Sequence, residues 1–128
     1  MSIHYLYFAD DLGIATIFPA LKDRLAEPGH QHVSLLYYSV NNTHIFKKEL
    51  EILQKHFPSQ FLVSYLSKAL TGQWIFQQDD VESVLNANTM QHMRFIISGN
   101  EAFAEHVKDQ LTFLGITTIQ IQEQYFSE

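Results

Sequence analysis

Cysteine is absent from the 128-residue sequence, which excludes disulfide bonds and thiolate metal ligands and is typical of a cytoplasmic protein. Basic residues are few: eight Lys and Arg against fourteen Asp and Glu give a formal net charge of −6. Because nucleic-acid binding depends largely on basic side chains, we expect no nucleic-acid partner. No apolar run approaches the ~20 residues of a membrane-spanning helix, and the N-terminus lacks the basic segment of a signal peptide. We therefore expect a cytoplasmic location without a membrane span.

Hydrophobic residues, at 46%, are sufficient for the core of one domain spanning residues 1–128. The predicted strands are Ile3–Ala9, Val33–Tyr38, Gln60–Leu66, Met93–Ser98 and an edge strand, Thr117–Glu123. The predicted helices are Gly13–Leu25, a second from a cap at Asn41–Thr43 to about His56, a short third from Asp79 to Leu85, and a fourth from about Asn100 to a glycine cap at Gly115. This alternation predicts a doubly wound α/β fold in three layers, with five parallel strands and helices on both faces.

Three local features of these elements carry predictions of their own. Pro19 falls too deep in the first helix for the first helical position, which predicts a later helix start or a slight kink. Trp74, in an irregular stretch, is expected either to line a cleft or to anchor its loop. The apolar residues expected to face inward in the second helix are Ile45, Phe46, Leu50, Ile52 and Leu53.

The ligand cleft is expected between the first and fourth strands. In open parallel sheets, ligands bind at the carboxyl ends of the strands, where the strand order reverses. The turns at that point are Ala9–Thr16 and Ser98–Phe103. The first of them has the arrangement of a nucleotide-binding turn, because a strand, a tight turn and a helix start together offer backbone N–H groups to a phosphate.

Short motifs follow one another in a recognisable order. Residues 10–16 (DDLGIAT) stand where a GGTGIAP turn would, 35–38 (LLYY) where an LLYG strand would, and 46–50 (FKKEL) where a FREEL-like stretch would. Further on are 98–103 (SGNEAF) in place of a CGPPAF turn, then 114–115 (LG) and a Glu-x-aromatic ending at 123–125 (EQY). In this order the chain resembles, over nearly its whole length, the pyridine-nucleotide-binding domain of the ferredoxin reductase family, the flavin-dependent NAD(P)H oxidoreductases.

The resemblance implies that the five parallel strands follow the order 3-2-1-4-5. It also implies an NAD(H)-binding module of a flavin-dependent oxidoreductase, in which the protein positions nicotinamide against flavin. Because the sequence starts at the first strand, we expect this chain to lack the flavin-binding barrel of the family. FAD or FMN is therefore expected only through a separate flavin-binding protein or a missing domain. The loop 39–43 contains no Arg or Lys to hold a 2′-phosphate, so NAD(H) is expected rather than NADP(H).

The resemblance also implies site residues. The pyrophosphate is expected at Gly13, Ile14, Ala15 and Thr16, the adenosine at Tyr38 and Ser39, the nicotinamide at Ser98, Gly99 and Asn100, and a stacked ring at Tyr125 or Phe126. The implied catalytic residues are Ser98, Glu101 and Tyr125. Structural alternatives stay open: Ser98 caps the following helix, Glu101 interacts with the helix dipole, and the terminal aromatic residues pack the last strand onto the sheet.

Asp10 and Asp11 replace the two glycines that let the backbone approach the pyrophosphate in the family. A carboxylate ~4 Å from a phosphate oxygen costs about 1 kcal/mol in water and about 4 kcal/mol at an effective dielectric near 20. A helix N-terminus offsets only roughly 0.3–1 kcal/mol. One interpretation is that an aspartate caps the helix and uses the donors that a phosphate would take. The other is that the carboxylates face solvent, a cation or a ribose hydroxyl while the Gly13–Thr16 amides still meet the ligand.

Two alternative functions stay open. The acidic turn and the missing barrel favour a degenerate domain that has lost dinucleotide binding and serves a protein-interaction or regulatory role. A siderophore-reductase-like relative, whose corresponding domain also carries an acidic first turn, is the second alternative.

The seven histidines do not predict a metal site. His30 and His32 would share one face of a strand, and His4 begins another strand. No cluster of Asp or Glu completes a ligand set with them, so we expect no metal.

Overall fold

The computed structural model of the chain describes residues 3–27, 32–39, 44–67, 92–113 and 121–126. Four predicted features lie outside these ranges: the cap at Asn41–Thr43, Trp74, the short helix Asp79–Leu85 and the glycine cap at Gly115. The other predicted helices and all five predicted strands fall within them, in whole or in part.

The described residues form five strands and three helices. The strands are β1 (Ile3–Ala9), β2 (His32–Ser39), β3 (Phe61–Ser67), β4 (His92–Asn100) and β5 (Ile121–Phe126). The helices are α1 (Ile14–Ala26), α2 (Lys47–His56) and α3 (Glu101–Phe113). Among these ranges, no helix has the length and apolar character needed to cross a bilayer.

The strands form one parallel sheet in the order β3-β2-β1-β4-β5. This confirms the predicted order, with its reversal between β1 and β4. Ala9, the last residue of β1, lies between Tyr37 of β2 and Ser98 of β4. The carboxyl ends of the three central strands therefore lie side by side, and the segments that follow them open onto the same edge of the sheet.

Helices cover both faces of the sheet, as predicted. Beneath α1 and α2 the buried residues include Tyr5, Tyr7, Ile14, Ile17, Leu21, Leu35, Tyr37, Leu50 and Phe61. Beneath α3 they include Leu6, Phe8, Leu36, Tyr38, Phe95, Ile97, Phe103, Val107 and Leu111. Alternate residues of a strand point to opposite faces, and the central strands carry buried apolar residues on both faces because each face is covered.

The first helix begins at Ile14, so Pro19 lies inside it and the predicted later start is wrong. A proline at this position removes one N–H donor from the helix interior. The side chains of Ile14, Ile17, Leu21 and Leu25 are buried at spacings of three and four, and they hold the helix on the sheet. The alternative of a slight kink at Pro19 stays a prediction.

In the second helix, Leu50 and Leu53 are the buried residues, and Phe46 packs against them. The inward orientation predicted for Ile45 and Ile52 is wrong, since they are 69% and 58% exposed. Ile45 precedes the helix. Ile52 immediately precedes Leu53, and consecutive residues of a helix with 3.6 residues per turn point in very different directions.

The last strand, β5, lies at the edge of the sheet beside β4, as predicted. It runs from Ile121 to Phe126, three residues beyond its predicted end. This extension carries the end of β5 level with the end of β4.

Candidate functional site

The turns that follow β1 and β4 meet at the carboxyl edge of the sheet. Ala9 and Ser98 are register partners, and the backbone N–H of Asp10 donates to the carbonyl oxygen of Ser98 at 3.4 Å. The two turns predicted to line the ligand cleft are therefore in contact, although they are far apart in the sequence. We refer to this place as the β1–β4 junction.

Gly13 brings the start of α1 against β4. A Cβ atom on Gly13 would lie 2.0 Å from the carbonyl oxygen of Ser98 and 2.9 Å from the backbone nitrogen of Gly99. Because these are backbone atoms, no side-chain movement could relieve the overlap. The buried Ser98 hydroxyl adds a long hydrogen bond, 3.5 Å, to the carbonyl oxygen of Gly13. The two turns can therefore make this contact only with glycine at position 13.

The Asp10 carboxylate lies between the two turns and is only 4% exposed. Its Oδ1 accepts hydrogen bonds from the backbone N–H groups of Leu12 and Gly13, at 3.0 and 2.9 Å. Its Oδ2 accepts from the backbone N–H of Asn100 at 2.9 Å, across the junction. Charge-assisted bonds of this kind compensate the burial of an ionised group. An aspartate therefore does take donors that a phosphate would use, although these belong to the turns rather than to the first turn of the helix.

Gly99 provides the space in which the Asp10 carboxylate lies. A Cβ atom on Gly99 would lie 2.4 and 2.7 Å from the two carboxylate oxygens. The carboxylate therefore rests directly on the backbone of Gly99. Because glycine has no side chain, the carboxylate of Asp10 can lie against the backbone at position 99.

The four residues predicted to face a pyrophosphate lie at the start of α1. The N–H of Gly13 donates to Oδ1 of Asp10, that of Ile14 to the carbonyl oxygen of Asp10 at 3.0 Å, and that of Thr16 to the carbonyl oxygen of Gly13 at 3.1 Å. The side chains of Ala15 and Thr16 are exposed, whereas Ile14 is buried. Three of the four amides thus have hydrogen-bond partners within the turn, and the contact of these residues with a pyrophosphate stays a prediction.

Among the residues predicted to meet a nicotinamide, Asn100 caps α3. Its Oδ1 accepts from the backbone N–H groups of Ala102 and Phe103, at 2.7 and 3.3 Å. This confirms the predicted helix start at Asn100, and the cap is Asn100 rather than Ser98. Glu101 is exposed in the first turn of α3, where the helix dipole favours an acidic residue. Its role as a catalytic acid stays a prediction.

On the adenosine side, Tyr38 and Ser39 are both buried. The ring of Tyr38 packs against Phe103 of α3, with ring centroids 5.1 Å apart. The Ser39 hydroxyl oxygen accepts a hydrogen bond from the backbone N–H of His44 at 3.3 Å. Both residues belong to the core, and their contact with an adenosine stays a prediction.

His44 bridges β2 and β3 near their carboxyl ends, a place that we call the β2–β3 edge. None of the motifs includes this residue. It is buried and has a positive φ of 41°. Its Nε2 lies 3.2 Å from the carbonyl oxygen of Tyr37 and 2.9 Å from that of Leu66. Because both partners are carbonyl oxygens, we assign the proton to Nε2, which donates to both. The imidazole stands edge-on against the rings of Tyr37 and Tyr65, at centroid distances of 4.8 and 5.1 Å.

The two tyrosines beside His44 are packing groups. Burial raises the pKa of Tyr37 to about 12, and the nearby backbone of Phe46 offsets only part of this effect. Burial also raises the pKa of Tyr65, with a smaller contribution from the negative charge of Glu51. Both phenols are therefore neutral at physiological pH, and neither is a suitable general base.

The end of β5 lies next to the β1–β4 junction. Tyr125 is the register partner of Gly99, and Phe126 that of Asn100. The predicted aromatic ending is therefore placed beside the turn that follows β4. Whether these residues stack on a bound ring or pack on the sheet stays a prediction.

The histidines that share neighbouring strands lie at the opposite end of the sheet. The rings of His4 and His32 are 6.4 Å apart, and Nε2 of His4 lies 2.8 Å from the Ser34 hydroxyl oxygen. His30 lies outside the described residues. In the part of the chain that the structure describes, no group of three His, Asp or Glu side chains could hold a metal ion.

The same architecture occurs in several solved structures. The CS-b5R domains of human Ncb5or, in the NAD+ form, match 94% of this chain with a TM-score of 0.78 and 17% identity. The fold is that of a ferredoxin reductase NAD(P)-binding domain. Flavohemoglobin from Malassezia yamatoensis, with bound FAD and heme, matches 98% of the chain with a TM-score of 0.76 and 15% identity. A mutant ferredoxin-NADP+ reductase from Plasmodium falciparum, in complex with 2'P-AMP, matches 97% with a TM-score of 0.71 and 18% identity.

These matches confirm the resemblance that the motifs indicated, at the level of the fold. The ferredoxin reductase-type domain spans only 36%, 32% and 53% of the three chains it matches. By sequence, the chain matches no family model and no curated protein. With identities below 20%, the roles of individual residues have to be argued from the geometry of this chain.

Proposed function

We propose that this ferredoxin reductase-type domain, residues 1–128, is an NAD(H)-binding module that takes part in electron transfer with a flavin-binding protein or domain. The observation that carries the proposal is the β1–β4 junction, where Gly13 and Gly99 let two turns meet at the reversal of the strand order. Open parallel sheets bind their ligands at this place. The fold around it is shared with proteins solved in an NAD+ form or with bound FAD.

In this proposal the dinucleotide lies along the carboxyl edge of the sheet. NAD(H), when bound, supplies the hydride that a flavin of the partner accepts, and this chain positions the nicotinamide. The residues proposed for the nicotinamide are Ser98, Gly99, Asn100 and Glu101, with Tyr125 or Phe126 against its ring; those for the pyrophosphate are Gly13, Ile14, Ala15 and Thr16; those for the adenosine are Tyr38 and Ser39. The loop 39–43, without Arg or Lys, favours NAD(H) over NADP(H).

The affinity is expected to be low. A pyrophosphate fits the turn after β1 only once the Asp10 carboxylate has released its N–H donors. We therefore expect a Kd of about 1 mM for NADH, which corresponds to about −4 kcal/mol. Calorimetric titration of the whole chain with NADH and NADPH into the millimolar range tests this. We expect heat with NADH and less with NADPH; no heat and no shift in Tm with either would contradict the proposal.

A matched pair of variants locates the binding site. Thr16 and Ala20 are both exposed on α1, and Thr16 lies in its first turn while Ala20 lies further along the helix. Thr16→Asp places a negative charge where the pyrophosphate is proposed, so NADH binding should weaken about tenfold. Ala20→Asp adds the same charge away from the junction and should leave binding unchanged. Equal effects of the two substitutions would place the dinucleotide elsewhere.

The second candidate function is a degenerate domain that serves protein interaction or regulation. It is favoured by one observation, the three N–H groups bonded to Asp10. In this case the carboxylate stays in place permanently and the junction holds no ligand. A folded chain that binds neither NADH nor NADPH in the titration would favour this candidate over the first.

A further inference from the structure

We propose that the carboxylate of Asp10 is an anion, supplied by the chain itself, that keeps phosphate groups out of the β1–β4 junction. Its carboxylate competes with a pyrophosphate-containing ligand for the same backbone donors, so removing it should open the junction. The inference concerns the regulation of the site in the proposed function and rests on that function for the identity of the natural ligand. The contacts that carry it are those of the chain itself.

The hydrogen bonds of Asp10 reach both sides of the junction. Oδ1 accepts from the turn after β1, through Leu12 and Gly13, and Oδ2 accepts from the turn after β4, through Asn100. One carboxylate therefore uses donors on two turns that a bridging anion would need at the same time. A phosphate group, which also carries acceptor oxygens on more than one side, has the chemistry to replace it.

The carboxylate also fills the available space. It lies so close to Gly99 that a Cβ atom there would be 2.4 Å from one of its oxygens. A phosphate cannot approach the Gly99 backbone while the carboxylate occupies this position. Steric exclusion and charge repulsion thus act together, and both end when the side chain at position 10 loses its carboxylate.

Asp11 provides the matched comparison. It is adjacent, carries the same charge and is less buried than Asp10. A general effect of net charge on anion binding would appear equally at both positions. An effect of the Asp10 contacts would appear only at position 10.

The first test uses inorganic pyrophosphate as the probe, titrated calorimetrically into the whole chain and its variants. Asp10→Gly and Asp10→Ser should bind pyrophosphate about tenfold more tightly than the original chain, and Asp11→Ser should not. Serine is included because its hydroxyl can still accept a hydrogen bond from the turn, which keeps the test valid if Asp10→Gly does not fold. Equal affinity of the Asp10 variants and the original chain, or an equal gain in Asp11→Ser, would overturn the proposal.

The second test needs no ligand. Amide hydrogen exchange, followed by NMR, should be about tenfold faster at Asn100 in Asp10→Ser than in the original chain, because the serine hydroxyl is too short to reach across the junction. Asp11→Ser should leave the exchange at Asn100 unchanged. Unchanged exchange in Asp10→Ser would show that the contact across the junction is absent in solution and would overturn the proposal.

These results can be told apart from those of the proposed function. If the original chain does not bind NADH but Asp10→Ser gains pyrophosphate binding, the inference stands and the NAD(H) module is rejected. If the original chain binds NADH and the Asp10 variants gain nothing, the module stands and the inference is rejected.

Discussion

The ends of two pairs of neighbouring strands, β1–β4 and β2–β3, lie at the same edge of the sheet. One side chain bridges each pair: an acceptor between β1 and β4, and a donor between β2 and β3. At the β1–β4 junction the available groups are backbone N–H donors, and the carboxylate of Asp10 accepts from three of them. Between β2 and β3 the available groups are the carbonyl oxygens of Tyr37 and Leu66, and the imidazole of His44 donates to both.

The two places differ in the backbone groups that they offer to a side chain. A turn that leads at once into a helix presents N–H groups without intrahelical partners, as after β1 and β4. Between β2 and β3, the groups that bond to His44 are carbonyl oxygens of the strands themselves. The comparison teaches that only the first kind of junction suits an anion, whether this is a side chain of the protein or a phosphate of a ligand.

Gly13→Ala should break the β1–β4 junction most severely. The added methyl group would overlap the backbone of Ser98, which can move only if α1 shifts away from β4. We expect a loss of about 3 kcal/mol or more in the free energy of unfolding, measured by denaturant titration. Thr16→Ala, on the exposed face of the same helix, is the control and should change stability by less than about 0.5 kcal/mol. A small effect of Gly13→Ala would mean that the two turns are not in backbone contact.

Asp10→Asn sharpens the comparison because it keeps the size of the side chain and removes one acceptor. The amide can accept from the turn after β1 or from Asn100, but its NH2 group then faces the other set of N–H donors. We expect a loss of about 2 kcal/mol at neutral pH, measured by denaturant titration, since buried donors are left unpaired. Asp11→Asn is the matched control. Equal stability of the two variants would show that the carboxylate of Asp10 is not specifically bonded.

At the β2–β3 edge, His44→Ala should cost about 2 kcal/mol because two carbonyl oxygens lose their donor. His44→Gly loses the same bonds but relieves the positive φ of 41°, so it should be about 1 kcal/mol more stable than His44→Ala. Alanine usually gives a more stable variant than glycine, so the order expected at position 44 is the reverse of the usual one. At Thr16, within α1, alanine should instead be about 1 kcal/mol better than glycine. The same order at both positions, by thermal or chemical denaturation, would contradict the strained backbone.

The fold could be predicted from the sequence because it depends on local, repeated patterns. The largely apolar strand Ile3–Ala9 and the alternation with helices indicate a buried parallel sheet, and the resemblance to the ferredoxin reductase family indicates the strand order, which the structure confirms. Errors occur where apolar residues outnumber the positions on one helix face, as for Ile52 beside Leu53. Spacing alone does not show which of two adjacent apolar residues is buried.

The site was harder to predict because its decisive contacts are long-range. The sequence suggested that Asp10 or Asp11 caps the first helix, but it did not indicate the bond between Asp10 and Asn100, which exists only because β1 and β4 are neighbours. His44 carries a weaker signal. Histidine is one of the residues that adopt positive φ more often than most, yet no local pattern indicates that its ring bridges two strands.

The smallest expected effect concerns Tyr37, which packs against His44 at the β2–β3 edge. Burial raises the pKa of Tyr37 to about 12, above the value of about 10 in an unfolded chain. Between these values the unfolded state loses the proton first, so the stability that the neutral phenol provides is complete below pH 10 and is lost as the pH rises towards 12. We expect this loss to be about 1 kcal/mol, less than two full pKa units would give, because solvent near the edge of the sheet screens the charge.

Tyr37→Phe removes the titrating group and should flatten this part of the pH profile, measured by denaturant titration. Tyr5→Phe, at the other end of the same face, serves as the control, and a profile unchanged by Tyr37→Phe would mean that the phenol beside His44 is accessible to water.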